Sequence, residues 1–228
     1  MKKDTKQQKE KIFETAKQLF IKNGYNKTSV NNIIKTLDIS KGTFYHYFGS
    51  KEDLLNEIVD EMVKNIIHKT KKVVSRKDLS AFEKIVNIFS LTIKYKKQHK
   101  KIVSPLVEAF YKNENLLLIH KVYERIIKLY VPELEKIIRQ GQEEKVFDVY
   151  KPRETAEIIL AIQYNYFGKI VPSLLNNKNN SIKLLNEKTK GFEWALMRLL
   201  GLKKTNKNLI NRKDQFSLFK FISKNFKK

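Results

Sequence analysis

The chain has 228 residues, 41% of them hydrophobic and 31% charged, with a formal net charge of +23 and no cysteine. This length permits a large buried core, the lack of cysteine excludes disulfides, cysteine-based zinc sites and thiol catalysis, and seven glycines with four prolines are too few for a turn-rich β fold. The positive charge indicates either a polyanionic partner, nucleic acid ahead of an anionic membrane surface, or simply a lysine-rich composition that keeps the chain in solution.

Three short helices are predicted in residues 1–50. Apolar residues at helical spacing form one stripe in residues 8–22, which end before Gly24, a residue type that often terminates helices. Ser29 and Ser40 are of the type that caps helix N-termini, so a second and a third helix are predicted to follow them. Because only about three residues separate these two helices, they are predicted to form a helix-turn-helix.

The third predicted helix contains the sequence SKGTFYHYF, residues 40–48. On a helical projection, Phe44, Tyr47 and Phe48 share a face that can fill a core. The opposite face has one cation, a glycine that allows close approach, and rings with polar tips that can contact bases in the DNA major groove; an aromatic core helix is the alternative interpretation. The residues of this face are Lys41, Gly42, Tyr45 and His46, with Thr43 on the flank.

Residues 8–55 resemble the DNA-binding domain of the TetR/AcrR family of transcriptional regulators. The matching residues are dense and ordered along the chain. They are Ile12-Phe13-Glu14-Thr15-Ala16, Leu19-Phe20, Gly24-Tyr25, Thr28-Ser29-Val30, Ile33-Ile34, residues 40–48 and Lys51-Glu52-Asp53-Leu54-Leu55.

This resemblance implies an all-α protein with an N-terminal helix-turn-helix domain of three helices in residues 1–52. A helical ligand-binding and dimerisation domain is implied in residues 53–202, reached through a fourth helix that Ser50 caps. The family further implies a homodimer that binds a palindromic operator in double-stranded DNA and an unknown small-molecule effector. The resemblance implies no cofactor.

The third helix is implied to enter the DNA major groove, with Thr43 and Tyr45 nearest the bases and Gly42 on the same face. Two residues at the start of the second helix, Thr28 and Ser29, are implied to contact the DNA backbone. The position of Tyr47 stays open, because periodicity also places it on the core side. The side chains implied to lie near phosphates are Lys41, His46, Tyr47 and Lys51.

The C-terminal half shows further helical patterns. A helix is predicted from Ser80, a long one over 115–140 that Gly141 ends, and two more over 153–171 and 187–201. The last two have apolar residues on more than one face, which indicates burial on several sides, and the resemblance makes them the dimerisation helices. The interface residues expected from them are Ile158, Ile162, Phe167, Trp194, Leu196 and Leu199.

A ligand pocket is predicted among C-terminal residues that combine aromatic bodies with polar tips, as the walls of pockets do. The alternative is that these side chains belong to the core or to the dimer interface. The candidates are Phe110, Tyr111, Tyr123, Tyr130, Gln163, Tyr164 and Tyr166.

The tail, residues 203–228, has nine basic residues and one acidic residue, with apolar residues between the lysines. It is predicted to form a basic amphipathic helix that packs back on the ligand-binding domain. Exchange onto a partner subunit and contact with a membrane surface are the alternatives.

Catalytic motifs are absent from the sequence: it contains no P-loop, GxGxxG, GxSxG or HExxH. The four histidines lack metal-ligand spacing, so neither an enzyme nor a metal site is expected. The N-terminus has no apolar segment of a signal peptide, and no apolar run reaches the length of a membrane span. A cytoplasmic location is therefore expected.

The leading functional hypothesis is a repressor that a small-molecule effector releases from its operator. The alternative is a DNA-binding protein of the same architecture whose C-terminal domain engages a protein, in a nucleoid or cell-division role, and a third is a protein that coats polyanions or membranes through charge alone. A closed aromatic cavity favours the first, a flat apolar patch the second, and binding without sequence preference the third.

Overall fold

The computed structural model describes residues 2–98, 116–176, 181–202, 209–210 and 213. All regular secondary structure in the described ranges is helical and none of it is strand, which confirms the predicted all-α class. The helices are α1 (Lys2–Asn23), α2 (Val30–Leu37), α3 (Lys41–Tyr47), α4 (Lys51–Val74), α5 (Ala81–Gln98), α6 (Leu116–Glu143), α7 (Pro152–Asn176) and α8 (Ser181–Leu199).

The described residues form two compact units. The first contains α1, α2, α3, α4 as far as Lys64, and α6 as far as Arg125. The second contains the rest of α4 and α6 together with α5, α7 and α8. The predicted domain boundaries at residues 52 and 202 stay predictions.

The core of the first unit is built from the apolar stripes of its helices. Ile12 and Phe20 of α1, Ile33 of α2 and Phe44 of α3 are fully buried in it. Leu118 of α6 joins the same cluster, which the sequence pattern did not predict.

Serine side chains cap the N-termini of three helices in the first unit, as predicted. The Ser29 Oγ accepts a hydrogen bond from the Asn32 amide at 3.1 Å, and the Asn32 Oδ1 accepts one from the Ser29 amide at 2.8 Å, which completes a capping box at α2. Ser40 Oγ accepts from the Thr43 amide at 3.0 Å at the start of α3, and Ser50 Oγ accepts from the Asp53 amide at 2.9 Å before α4.

Residues with a left-handed backbone conformation follow the first two helices. Gly24 has a φ of 91°, a conformation that glycine adopts without steric cost, and its amide donates to the Phe20 carbonyl after the end of α1. Asp38 has a φ of 51° and is the C-cap of α2. The predicted end of the first helix before Gly24 and the predicted short gap between the second and third helices are therefore confirmed, and α3 starts at Lys41.

In the second unit, the predicted helix end at Gly141 is wrong. This glycine was expected to end the long helix, but α6 continues to Glu143. The ring of Phe147 lies so close that a Cβ on Gly141 would approach the Phe147 Cδ2 to 2.0 Å. Gly141 thus allows the Phe147 ring to pack closely against α6, and it does not terminate the helix.

The remaining helices have the predicted type but different bounds. The predicted ranges 153–171 and 187–201 correspond to α7 and α8, and both helices begin earlier than predicted. In the tail, Leu209 and Ile210 are buried, and the Ile210 amide donates to Glu193 Oε1 of α8 at 2.9 Å. Most of the predicted tail helix lies outside the described residues. Among the helices described, none has both the length and the apolar character required to cross a membrane.

Candidate nucleic-acid interface

The two faces of α3 are as different as the helical projection predicts. Phe44 is fully buried and Phe48 nearly so, with their ring centroids 6.0 Å apart in the core of the first unit. Tyr45, the next residue after Phe44, is 46% exposed. The helix therefore fixes its position through one face and presents the other to the surroundings.

The exposed face of α3 combines a cation with polar-tipped rings. Lys41 and His46 are exposed, and the Lys41 Nζ lies 6.0 Å from the centroid of the Tyr45 ring. A Cβ on Gly42 would find Ser40 Oγ as its nearest neighbour, at 3.7 Å. The protein's own packing therefore does not require a glycine at position 42.

Thr43 and Tyr47 lie at the edges of this face. Thr43 is partly buried, and its Oγ1 is 2.9 Å from the Ser40 Oγ, so its hydroxyl shares the cap of α3. Tyr47 is also partly buried and packs against the core cluster, while its ring meets His46 edge to face at 4.9 Å. The side chain of Tyr47 thus lies between the core and the exposed face.

Two residues at the start of α2 are predicted to contact the DNA backbone, and their side chains differ in exposure. Ser29 is exposed and caps the helix. Thr28 is fully buried, and its Oγ1 donates to the Gly24 carbonyl at 2.9 Å. The Thr28 side chain therefore holds the loop between α1 and α2 in this structure.

Lys51 is predicted to lie near a phosphate, and in this structure its ammonium group is bound inside the first unit. The Lys51 Nζ donates to the Tyr25 carbonyl at 3.0 Å and to the Thr28 carbonyl at 2.9 Å. It also lies 3.9 Å from the centroid of the Tyr25 ring. Burial lowers the pKa of this lysine below its ordinary value.

Acidic residues of α4 pair with cations from α1. Lys9 Nζ lies 2.9 Å from Glu57 Oε2, and Lys17 Nζ lies 3.0 Å from both Glu61 Oε2 and Glu14 Oε1. Burial alone lowers the pKa of Lys17, but the hydrogen bonds and charges of Glu61 and Glu14 together raise it above its ordinary value. These two lysines are thus neutralised by the protein itself.

Cations from α6 pair with the same helix. Lys121 Nζ is 2.9 Å from Glu52 Oε1, and Arg125 Nε is 2.6 Å from Asp60 Oδ1. The acidic stretch that opens α4 therefore neutralises basic side chains from two neighbouring helices. Sequence reasoning did not identify these pairs, because their members are 65 or more residues apart.

The predicted ligand residues have different surroundings. Tyr123 belongs to the first unit, whereas Tyr130 is buried in the second, with its hydroxyl 2.8 Å from Thr70 Oγ1. Tyr166 of α7 donates from its hydroxyl to the Lys188 carbonyl of α8 at 2.9 Å, and burial raises its pKa. Gln163 is partly buried and Tyr164 exposed. Phe110 and Tyr111 lie outside the described residues.

The predicted dimer residues separate into exposed and internal side chains. Trp194 is 62% exposed and Ile158 is 46% exposed. Leu196 is buried within its own subunit, so it has no surface to offer a second copy. Ile162 and Leu199 are partly buried, and the side chain of Phe167 lies outside the described part.

Two further apolar residues are exposed on the same helices, and the sequence did not single them out as interface residues. They are Leu184 of α8 and Tyr164 of α7, the second of which was predicted to face a ligand. A helix with apolar residues all round does not reveal which face meets its own subunit, so no periodicity could have found them. In the described ranges, no cluster of three or more histidine and carboxylate side chains is suited to hold a metal ion.

Comparison with known families matches both parts of the chain. Residues 12–58 match the family of bacterial regulatory proteins described as the tetR family. Residues 90–184 match a family described as the tetracyclin repressor-like C-terminal domain.

Individual relatives agree with these matches. The HTH-type transcriptional regulator QacR of Staphylococcus aureus is 30% identical over 135 residues, which are 58% of this chain and 70% of QacR. The uncharacterised HTH-type transcriptional regulator YuxN of Bacillus subtilis is 56% identical over 50 residues, 22% of this chain and 17% of YuxN.

A solved structure shows the same fold. The crystal structure of the transcriptional regulator FadR from Bacillus subtilis, in complex with stearoyl-CoA, matches 83% of this chain and 96% of its own at 22% identity, with a TM-score of 0.57. The fold is thus shared with FadR, and the QacR match together with the two family matches places the chain in the TetR family of bacterial transcriptional regulators.

Proposed function

We propose that this regulator is a repressor that binds a palindromic operator as a homodimer, with α3 in the major groove, and that a small-molecule effector releases it. The DNA contact of α3 is inferred from the contrast between buried Phe44 and exposed Tyr45 on this short helix. A helix that is fixed by its inner face can present its outer face in a constant orientation. Constant orientation is what readout of base edges requires.

The base contacts are assigned to Thr43 and Tyr45. The Tyr45 ring can lie against a thymine methyl while its hydroxyl bonds to a base edge, and the Thr43 methyl can contact the same groove. Gly42 supports this assignment, because a side chain there would fit the free protein. Glycine at position 42 is explained if the DNA backbone or a base approaches α3 closely at that point.

Phosphate contacts are assigned to Lys41, His46 and Ser29, which are exposed around α3 and at the start of α2. Lys41 supplies a charge, and Ser29 supplies a hydroxyl that exchanges its hydrogen bond to Asn32 Oδ1, at 2.6 Å, for one to a phosphate. These contacts fix the register of the protein on DNA and do not read sequence. Lys9 and Lys17 are left out of this set, because both are paired with glutamates.

Dimerisation is assigned to α7 and α8. Trp194, Ile158, Leu184 and Tyr164 are large apolar side chains exposed on these two helices, and their burial against a second copy would be favourable. A two-fold symmetric dimer would cover them and set two α3 helices about one turn of DNA apart, roughly 34–36 Å. If the chain stays monomeric, the same surface favours a protein partner.

The effector site is assigned to the second unit. Its interior contains buried polar side chains, among them Tyr130, Thr70 and Ser90, and a few such groups in an apolar interior are typical of small-molecule sites. The match to a tetracyclin repressor-like C-terminal domain supports a ligand-responsive function. FadR, which has this fold, was solved with stearoyl-CoA bound.

Selection of binding sites from random duplexes tests the proposal. The full-length protein is expected to enrich a palindrome with half-sites about one helical turn apart, and Tyr45→Ala is expected to enrich it less strongly while still folding. Recovery of sequences without common features by the wild-type protein would contradict the repressor function. Effector binding is then measured as release of the fluorescent operator by candidate compounds, with Tyr130→Phe as the variant whose response should change.

A further inference from the structure

The face of α8 opposite its buried side carries a narrow stripe of exposed residues. Leu185, Phe192 and Leu196 lie on the buried side. Successive members of the exposed stripe are alternately three and four positions apart, which places them along one line of the helix surface. A stripe with this strict alternation is typical of the seam by which two helices pack together. Its members are Leu184, Glu187, Gly191, Trp194 and Arg198.

The glycine in the middle of this stripe is not explained by the packing of its own subunit. A Cβ on Gly191 would lie 3.4 Å from the Tyr166 hydroxyl, which is an ordinary contact. Glycine is less favourable than alanine inside a helix, so its presence here is explained if another helix approaches closely. Trp194, one turn further along the stripe, is 62% exposed. Its ring has the size to fill the space above such a glycine on a facing helix.

The charges of the stripe select a direction for the facing helix. Glu187 lies towards the N-terminal end of α8 and Arg198 towards its C-terminal end. In a parallel pair of α8 helices, glutamate would face glutamate and arginine would face arginine, which is unfavourable. An antiparallel pair brings opposite charges together. The stripe is therefore complementary to a second copy of itself, as a two-fold symmetric contact requires.

One antiparallel register satisfies both the sizes and the charges. Residues at equal distances on either side of a two-fold axis face each other across that axis. Gly191 and Trp194 lie symmetrically about the same point of α8 as Glu187 and Arg198 do. The axis that places each Trp194 ring over Gly191 of the second copy therefore also places each Glu187 opposite an Arg198.

We infer that α8 packs antiparallel against α8 of a second copy of this chain, in this register. The inference rests on the proposed homodimer and adds the facing helix, its direction and its register. In the single subunit, Glu187 Oε1 lies 2.9 Å from Lys190 Nζ, and the Arg198 guanidinium lies 5.3 Å from the centroid of the Trp194 ring. The Glu187 side chain is still 56% exposed, so it remains accessible to an arginine of the second copy.

Charge reversals, followed by sedimentation equilibrium of the full-length protein, test the register. Glu187→Arg and Arg198→Glu each bring like charges together on both sides of the axis, and each should weaken dimerisation at least about fivefold. The double variant restores opposite charges in the antiparallel pair only, so it should dimerise within about twofold of wild type. A double variant as weak as the single ones would overturn the inference.

Lys183→Glu is the matched control for charge reversal on this helix. Lys183 is exposed, and in the proposed register the position opposite it lies beyond Leu199, where α8 ends. The variant should therefore leave dimerisation within about twofold of wild type.

A double-mutant cycle tests the contact between the glycine and the tryptophan. Gly191→Leu should weaken dimerisation at least about tenfold, because its side chain fills the space of the facing Trp194 ring. Helicity should be retained, since leucine is a better helix former than glycine. In the background of Trp194→Ala the clashing ring is absent, so Gly191→Leu should cost much less. Additive costs would contradict this contact.

Spin labels measure the direction of the facing helices without relying on weakened dimers. The chain has no cysteine, so one introduced cysteine places one label on each subunit. Labels at Lys183→Cys should be separated along the helices by about 28 Å in the proposed register, and labels at Lys190→Cys by only about 8 Å, at a rise of 1.5 Å per residue. Parallel helices would give equal separations at both positions, and that result would overturn the inference.

These outcomes also separate the inference from the proposed function. If the wild-type protein is monomeric at concentrations that bind DNA, or selects no palindrome, the proposed function itself fails. If it is a dimer that selects a palindrome, but the double charge variant and the labels do not behave as expected, only the antiparallel contact of α8 is wrong.

Discussion

Phe44 and Tyr45 meet edge to face with ring centroids 5.3 Å apart, yet Phe44 is fully buried and Tyr45 is 46% exposed. Two adjacent rings of similar size thus have opposite environments. The first stabilises the unit that holds α3, and the second is available to a partner. This contrast allows the stability of the domain and its binding of DNA to be perturbed separately.

Substitution of the two rings should separate folding from binding. Phe44→Ala removes a fully buried aromatic side chain and should cost about 3–5 kcal/mol in the free energy of unfolding. Tyr45→Ala should leave the melting temperature nearly unchanged and reduce operator affinity by about 1–3 kcal/mol at the affected base pairs. Thermal denaturation and fluorescence anisotropy with labelled operator measure the two effects. An intact operator affinity in Tyr45→Ala would contradict the assignment.

Gly42→Ala should weaken operator binding without loss of stability. The new Cβ would lie 3.7 Å from Ser40 Oγ, an ordinary contact, and alanine is a better helix former than glycine by roughly 0.8–1 kcal/mol in a helix interior. The melting temperature should therefore stay the same or rise. Reduced affinity for the operator is expected, because the methyl group would occupy space at the DNA surface. Unchanged affinity would show that DNA does not approach α3 at this residue.

Charged substitutions on the exposed apolar surface should produce monomers. Trp194→Glu combined with Ile158→Glu places two carboxylates where a two-fold partner is proposed to pack, and burying such unpaired charges is costly. Sedimentation velocity should show loss of the dimer and retained helicity by circular dichroism. Tyr150→Glu is the control, since Tyr150 is 92% exposed on the loop after α6 and outside the proposed interface. A double variant that stays dimeric places the interface elsewhere.

Gly141→Ala should destabilise the second unit. Its Cβ would come within 2.0 Å of the Phe147 ring, so either the ring or α6 must shift, at a typical cost of about 1–3 kcal/mol. Gly191→Ala is the comparison, because its Cβ would lie 3.4 Å from the Tyr166 hydroxyl and alanine favours the helix. Chemical denaturation of both variants measures the difference. Equal stability of the two variants would mean that Phe147 moves away at little cost.

The local elements of the first unit were predictable because they depend on neighbours in sequence. Ser29 and Ser40 cap the helices expected of them, and the period of 3.6 residues separates Phe44 from Tyr45. The partners of Lys51 were not predictable. They are backbone carbonyls 26 and 23 residues earlier. Hydrogen bonds to such distant carbonyls depend on the tertiary structure, which the pattern of side chains does not predict.

The second unit was less predictable for a related reason. Gly141 lies near the end of an apolar run, where glycine commonly terminates a helix, and only the packing of Phe147 explains why the helix continues. Trp194 and Leu196 belong to one apolar helix, but the first is exposed and the second buried. Which face meets its own subunit depends on tertiary contacts that periodicity does not contain.

In the proposed function, the exposed face of α3 reads a DNA sequence, and the net charge of +23 does not by itself explain binding. The most direct measurement is a titration of the wild-type protein against its selected operator and a scrambled duplex between 50 and 200 mM salt. If the dimer neutralises roughly 6–10 phosphates, affinity for both duplexes should fall about 10³- to 10⁵-fold over this range. The preference for the operator should persist at every salt concentration and should be smaller in Tyr45→Ala, which keeps the base contacts assigned to Thr43. Equal affinity of the wild-type protein for the two duplexes at all salt concentrations would contradict sequence readout by α3.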